Sequence, residues 1–93
     1  MSFNPASILN LSDDAVAAEV SGEIVLISIS NGRYFGLDSI GSDIWRRIEG
    51  GKSLEALCDE LCDSYDGDAA TIRQETQALV ETLLGRGLLT QAD

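Results

Sequence analysis

From Ala15 to Val20, and again from Glu23 to Ser30, the chain is β-branched and aliphatic, with Ser21-Gly22 between the two runs as a turn. The pattern predicts a hairpin. In its second strand Val25, Ile27 and Ile29 fall on one face while Ile24 and Leu26 share the other with Ser28 and Ser30, the alternation of a strand covered fully on one side only. Asn31-Gly32 is a strong hairpin-turn pair, because both residues tolerate positive φ, and it leads into a third strand, Arg33 to Leu37. The result is a three-stranded antiparallel meander.

After Leu37 the apolar period lengthens from two to about 3.6. Asp38 or Ser39 caps a helix with Ile40, Ile44, Trp45 and Ile48 on one side, and Gly50-Gly51 ends it. Ser53 caps a second helix with apolar positions Leu54, Leu57, Cys58, Leu61, Cys62 and Tyr65, broken at Asp66-Gly67. Asp68 starts the longest helix, whose stripe is Ala69, Ile72, Thr76, Leu79, Val80 and Leu83. Gly85 and Gly87 stop it, and Leu88-Leu89 forms a short closing segment. The expected fold class is α+β, a winged helix-turn-helix-like arrangement of a three-stranded antiparallel sheet followed by three helices. Residues 1–12, with Pro5 and small polar groups but no period, are expected to form a flexible N-terminal arm, and 13–93 a single domain.

Composition narrows the chemistry. Of 93 residues, 16 are Asp or Glu, 6 are Lys or Arg and none is His, for a net charge of −10. Without His there is no ordinary neutral-pH general base and no usual transition-metal ligand, so the expectation is no enzyme, no catalytic residues, no cofactor and no metal. Cys58 and Cys62 are too few for a zinc or iron-sulfur site and coincide with the apolar stripe of the second helix, where they read as small buried hydrophobes. Trp45 reads as core, Arg46-Arg47 as solvated residues complementing the helix dipole, and the acids of the second helix as a wet outer face. Residues 53–93 hold nine acids against Arg73 and Arg86. A surface so acidic repels a duplex, which argues against nucleic acid as a partner. The longest apolar run, Ile24 to Ile29, is far short of the ~20 residues a membrane helix needs, and no secretory signal is visible, so no membrane and a cytoplasmic location are expected.

The third strand is last in its meander and therefore lies at a sheet edge. It carries Tyr34, Phe35 and Leu37, only Arg33 as a charged guard, and Gly36, where another backbone can approach closely. A partner strand could add there, with the third helix walling the groove; an ordinary protected edge is the alternative.

These residues carry a resemblance. Gly32-Arg33-Tyr34-Phe35-Gly36-Leu37-Asp38, then Gly41, Ile44-Trp45, Gly50-Gly51, Tyr65-Asp66 and Gly87-Leu88-Leu89, in this order and spacing, are similar to the PqqD-like family of precursor-peptide recognition elements. The Tyr-Phe-Gly-Leu-Asp segment looks most like the stand-alone leader-binding proteins of lasso peptide biosynthesis. The resemblance implies a non-catalytic adaptor that takes the leader segment of a precursor peptide as an added antiparallel strand along Arg33, Tyr34, Phe35, Gly36, Leu37 and Asp38. On the helix side it implies Ile72, Arg73, Thr76 and Leu79, matched by helix phase. Implied partners are the precursor peptide, a leader-cleaving cysteine protease and an ATP-dependent cyclase, the macrolactam synthetase. The alternatives are a PqqD-type chaperone for pyrroloquinoline quinone biosynthesis, from which Asp38-Ser39-Ile40-Gly41 departs where an Asn-rich segment is usual, or a winged-helix protein-interaction or DNA-binding module. The open edge also allows strand exchange, so the expected state is a monomer or a swapped dimer.

Overall fold

Alternation along the first half of the chain builds strands because each can bury one face. The computed structural model describes residues 6–92. In chain order it contains β1 (Ile8–Leu11), β2 (Ala15–Val20), β3 (Glu23–Ser28), β4 (Tyr34–Gly36), α1 (Ser39–Ile48), β5 (Lys52–Ser53), α2 (Leu54–Ser64), α3 (Ala69–Gly85) and β6 (Leu89–Ala92). The predicted meander is the antiparallel sheet β2-β3-β4, its third strand being β4. Ile24, Leu26 and Ser28 form the buried face of β3, whereas Val25 and Ile27 are half-buried.

The two turns of this sheet differ. Ser21 and Gly22 both have positive φ, 55° and 85°, and join β2 to β3 tightly. At Asn31-Gly32 only Gly32 enters the left-handed region, at φ 69°. The Ser28 N–H donates to the Arg33 carbonyl at 2.9 Å and the Gly32 N–H to the Ser28 carbonyl at 2.8 Å, so the connection is a four-residue loop rather than the predicted two-residue turn. Asp14 accounts for the difference. Its carboxylate accepts the Ser28 hydroxyl at 2.6 Å and both the N–H and the hydroxyl of Ser30 at 2.8 Å, which holds the loop wide.

A second antiparallel sheet, in the order β5-β1-β6, corrects the expectation of an unpaired arm through residue 12. Leu9 pairs with Lys52 on one side and Gln91 on the other, and its side chain is fully buried. Residues 1–5 of the expected arm lie outside the described residues. The closing Leu88-Leu89 segment likewise becomes β6. Four residues, Ile-Leu-Asn-Leu, are too short to display a period, and their partners lie more than 40 residues away in the chain.

The helices start where their caps predict. Asp38 accepts the Gly41 N–H at 2.7 Å, Ser53 the Ala56 N–H at 3.2 Å and Asp68 the Thr71 N–H at 3.2 Å. Their inner faces meet both sheets around Leu9, Leu26, Trp45, Leu57, Val80 and Leu83, all at most 2% exposed. Two features lock α1 onto the exit of β4. Buried Ser42 accepts the Ile24 N–H through its hydroxyl at 2.9 Å, and a Cβ at Gly41 would stand 3.3 Å from Leu37. Arg46 and Arg47 are joints rather than purely solvated residues: Arg46 reaches Glu19 at 2.9 Å, and Arg47 contacts Asp43, Glu60 and Ser64. Glu60 also receives Lys52 at 2.6 Å, so it is not simply a wet outer residue. Among the described residues, no helix is long and apolar enough to cross a membrane.

Hydrogen bonds from Ser28 and Ser30 hold the Asp14 carboxyl below its ordinary 3.8, and the Lys52 ammonium, with Arg47, holds Glu60 below 4.5. Such groups contribute stability above their unfolded-state pKa, and the contribution is lost as pH falls through the depressed folded-state value. Urea midpoints of the folded protein should therefore drop as pH falls below about 4, and Asp14→Asn should make that drop shallower. An acid limb of unchanged steepness in Asp14→Asn would contradict the role given to this carboxylate.

Candidate functional site

In the first sheet β3 has neighbours on both sides and β4 on one. The Leu37 N–H donates to the Ile24 carbonyl at 2.8 Å, and the Arg33 carbonyl accepts from Ser28. With Phe35 opposite Leu26, the odd-numbered residues Arg33, Phe35 and Leu37 turn their backbone groups toward β3. Tyr34 and Gly36 turn theirs to the open edge. Their side-chain positions share the outer sheet face, where Tyr34 is 73% exposed; Phe35 and Leu37 point toward the core.

A groove of about 570 Å³ runs along this edge. Phe35 and Leu37 meet the buried Ile44 and Leu61 at its base, and Ile72, Thr76 and Leu79 of α3 form its far wall. Asp38, the N-cap of α1, and Ile40 in its first turn, with Tyr65 and the segment 66–68, close one end. Of the residues expected at the site, Phe35, Gly36, Leu37, Asp38, Ile72, Thr76 and Leu79 come together in this groove. Arg33 and Tyr34 line a second cleft of about 360 Å³ at the N-terminal end of β4, beside Phe35 and Arg86.

Arg73 is a correction. It donates to Asp59 at 2.6 Å, on the side of α3 that meets α2, and does not line the groove. One residue beyond Ile72 is about 100° around the helix, enough to leave that wall. Sequence reasoning missed Ile40, Ile44, Leu61, Tyr65, Thr71 and Glu75. The signal for two of them was present: Ile40 and Tyr65 obey the apolar period, yet they are 53% and 37% exposed.

Tyr65 is held at the groove's end by its hydroxyl, which donates to the Asp43 carboxylate at 2.6 Å. That bond raises the Tyr65 pKa above its ordinary 10.0. Burial works to raise Asp43, but Tyr65 and Arg47 outweigh it and hold the carboxyl below 3.8. The Cys58 thiol, buried against the core, is pushed up by desolvation and stays protonated. Chemically, the groove presents unpaired backbone donors and acceptors beside an apolar wall, the requirements for holding an extended peptide.

The sequence and the fold have counterparts among known proteins. The family model for coenzyme PQQ synthesis protein D (PqqD) matches residues 23–89. A PqqA binding protein from Rhodopseudomonas palustris (strain BisB5) is 32% identical over 60 residues, 64% of this chain, and the chain spans 59% of that relative's length. Among solved structures, TbiB1 in complex with the TbiA(β) leader peptide superposes with a TM-score of 0.78 at 36% identity, over 86% of this chain and 93% of that one. Lasso peptide synthetase B1 complexed with the leader peptide shares the fold, with a TM-score of 0.78 at 22% identity over 88% of this chain and 96% of its own.

The bond between Tyr65 and Asp43 is directly measurable. In a Tyr34→Phe background, which leaves Tyr65 as the single tyrosine, ultraviolet difference titration should show a phenol pKa above 10.0 that falls when Asp43 becomes Asn. Because the folded-state value is the raised one, the stabilisation is fully present below the unfolded pKa and is lost as pH rises through the raised folded-state value. A titration unmoved by Asp43→Asn would contradict this contact.

Proposed function

The chain belongs to the PqqD family, and from that premise we propose that it is an adaptor without catalysis of its own, binding the leader segment of a ribosomally synthesised precursor peptide by strand addition to β4. One observation carries the proposal: the free edge of β4 opens into an apolar groove walled by α3. An antiparallel peptide satisfies the outward backbone groups of Tyr34 and Gly36 whatever its sequence, which supplies affinity without selectivity. Selection falls to the recesses between Phe35 and Leu37 on one side and Ile72, Thr76 and Leu79 on the other. A strand of five or six residues with two or three anchored side chains corresponds to a Kd in the micromolar to nanomolar range, about −8 to −12 kcal/mol.

The adaptor presents the captured precursor to enzymes of a lasso peptide or related pathway, a leader-cleaving cysteine protease and an ATP-dependent macrolactam synthetase. A role in pyrroloquinoline quinone biosynthesis is the second reading, favoured by the similarity to a PqqA binding protein. Similarity to TbiB1, solved in complex with a leader peptide, is at higher identity and over more of the chain, and supports leader binding in either pathway.

The test is titration calorimetry with peptides selected on the protein from a displayed random-sequence library. Gly36→Pro deletes an N–H that faces the open edge, so it removes a bond to the peptide and none to β3. Ile72→Asp sets a carboxylate in the apolar wall. Each variant should stay folded by circular dichroism and bind about tenfold or more weakly. Native-like affinity in both folded variants would sink the β4–α3 groove as the binding site.

A further inference from the structure

The six cations of this chain divide into two groups. Arg46, Arg47, Lys52 and Arg73 each hold an ion pair, with Glu19, Asp43 and Glu60, Glu60, and Asp59 respectively. Among the described residues Arg33 and Arg86 have none, in a protein with 16 acids. Both are exposed, and both line the cleft at the N-terminal end of β4. Arg33 immediately precedes the strand. Arg86 caps the C-terminus of α3, and its guanidinium lies over the Phe35 ring, 5.1 Å from the centroid. That stacking fixes the cation beside the strand edge and leaves its N–H fork open.

The far end of the groove has the opposite sign. Asp38, Asp66, Asp68 and Glu75 line it, and no Lys or Arg does. Helix α3 runs antiparallel to β4, so Asp68 at its start lies with Asp38 while Arg86 at its end lies with Arg33. The potential therefore changes sign along a strand of three residues.

We propose that the Arg33–Arg86 cleft is a carboxylate subsite for the side chain of an Asp or Glu in the bound leader, and that it sets the direction in which the leader lies. The inference rests on strand addition at β4. An antiparallel strand places its C-terminal end beside Arg33 and its N-terminal end beside Asp38. The acid therefore stands on the C-terminal side of the residues anchored in the groove. The same peptide laid parallel would carry its carboxylate to the acidic end and be repelled. The C-terminal end of a leader continues by a peptide bond into the rest of its precursor, so the carboxylate comes from a side chain and not from a chain end.

The experiment selects binders from a random-sequence library displayed with both peptide ends blocked, on the wild-type protein and on Arg33→Glu/Arg86→Glu. Wild-type selections should be enriched in Asp or Glu on the C-terminal side of the apolar anchors. The double variant should bind those peptides about tenfold more weakly, and peptides with Lys substituted for that acid should recover the affinity. Arg33→Glu alone, which leaves the Phe35 stack untouched, should give part of the same loss. Peptides that bind with no acid preference, or with the same preference in both proteins, would overturn the subsite while leaving strand addition standing. If the wild-type protein selects no peptide, strand addition falls and the subsite falls with it.

Discussion

A three-residue strand with a neighbour on one side only is the constraint on which the rest of this molecule turns. Backbone N–H and C=O groups need partners, and pairing with β3 satisfies only every second residue of β4. The groups of Tyr34 and Gly36 face outward beside an apolar wall. Many proteins blunt such an edge with lysine, proline or a covering segment. Here the strand itself, Tyr-Phe-Gly, carries neither charge nor proline. In the free protein water can satisfy these exposed groups, and an incoming backbone would replace it.

Much of the remaining structure keeps that edge in register. Asp14 gathers Ser28 and Ser30 and so holds the loop that delivers Arg33 to the strand. Ser42, Gly41 and buried Leu37 fix the exit into α1. The second sheet fixes the opposite wall: β6 follows α3 directly and pairs with β1, while the Ser12 N–H donates to the Leu88 carbonyl at 3.1 Å. The end of α3, and with it Arg86, is thereby tied to the N-terminal part of the chain. Residues 8–12, ahead of the meander in the chain, thus help to position the groove.

The meander, the three helices and their caps were legible because each rests on a local rule: alternation in β3, and Ser53 and Asp68 as oxygen-bearing caps at the first turn of a helix. Strand β1 was hidden because Ile8 and Leu9 pair with residues in distant parts of the chain, which no local period reveals. At Asn31-Gly32 the local turn preference gave way to a tertiary contact, the Asp14 carboxylate. The groove was half legible. Its strand side follows from topology, but a helical stripe does not separate residues that fill a core from those that line a cleft. Val80 and Leu83 are wholly buried, whereas Ile72 and Leu79 on the same helix are half-covered and face the groove. Arg73 shows the angular precision required, since a single residue of phase moves a side chain from the groove to α2.

Amide hydrogen exchange measured residue by residue, with and without a peptide selected on the protein, tests the central claim most directly. Phe35 and Leu37 already direct their N–H groups to β3 and should change little. Strand addition on β4 predicts that the Tyr34 and Gly36 amides, exposed in the free protein, become strongly protected when the peptide binds. Saturating peptide that leaves Tyr34 and Gly36 exchanging at their free rates, or that protects the outer edge of β2 instead, would contradict it.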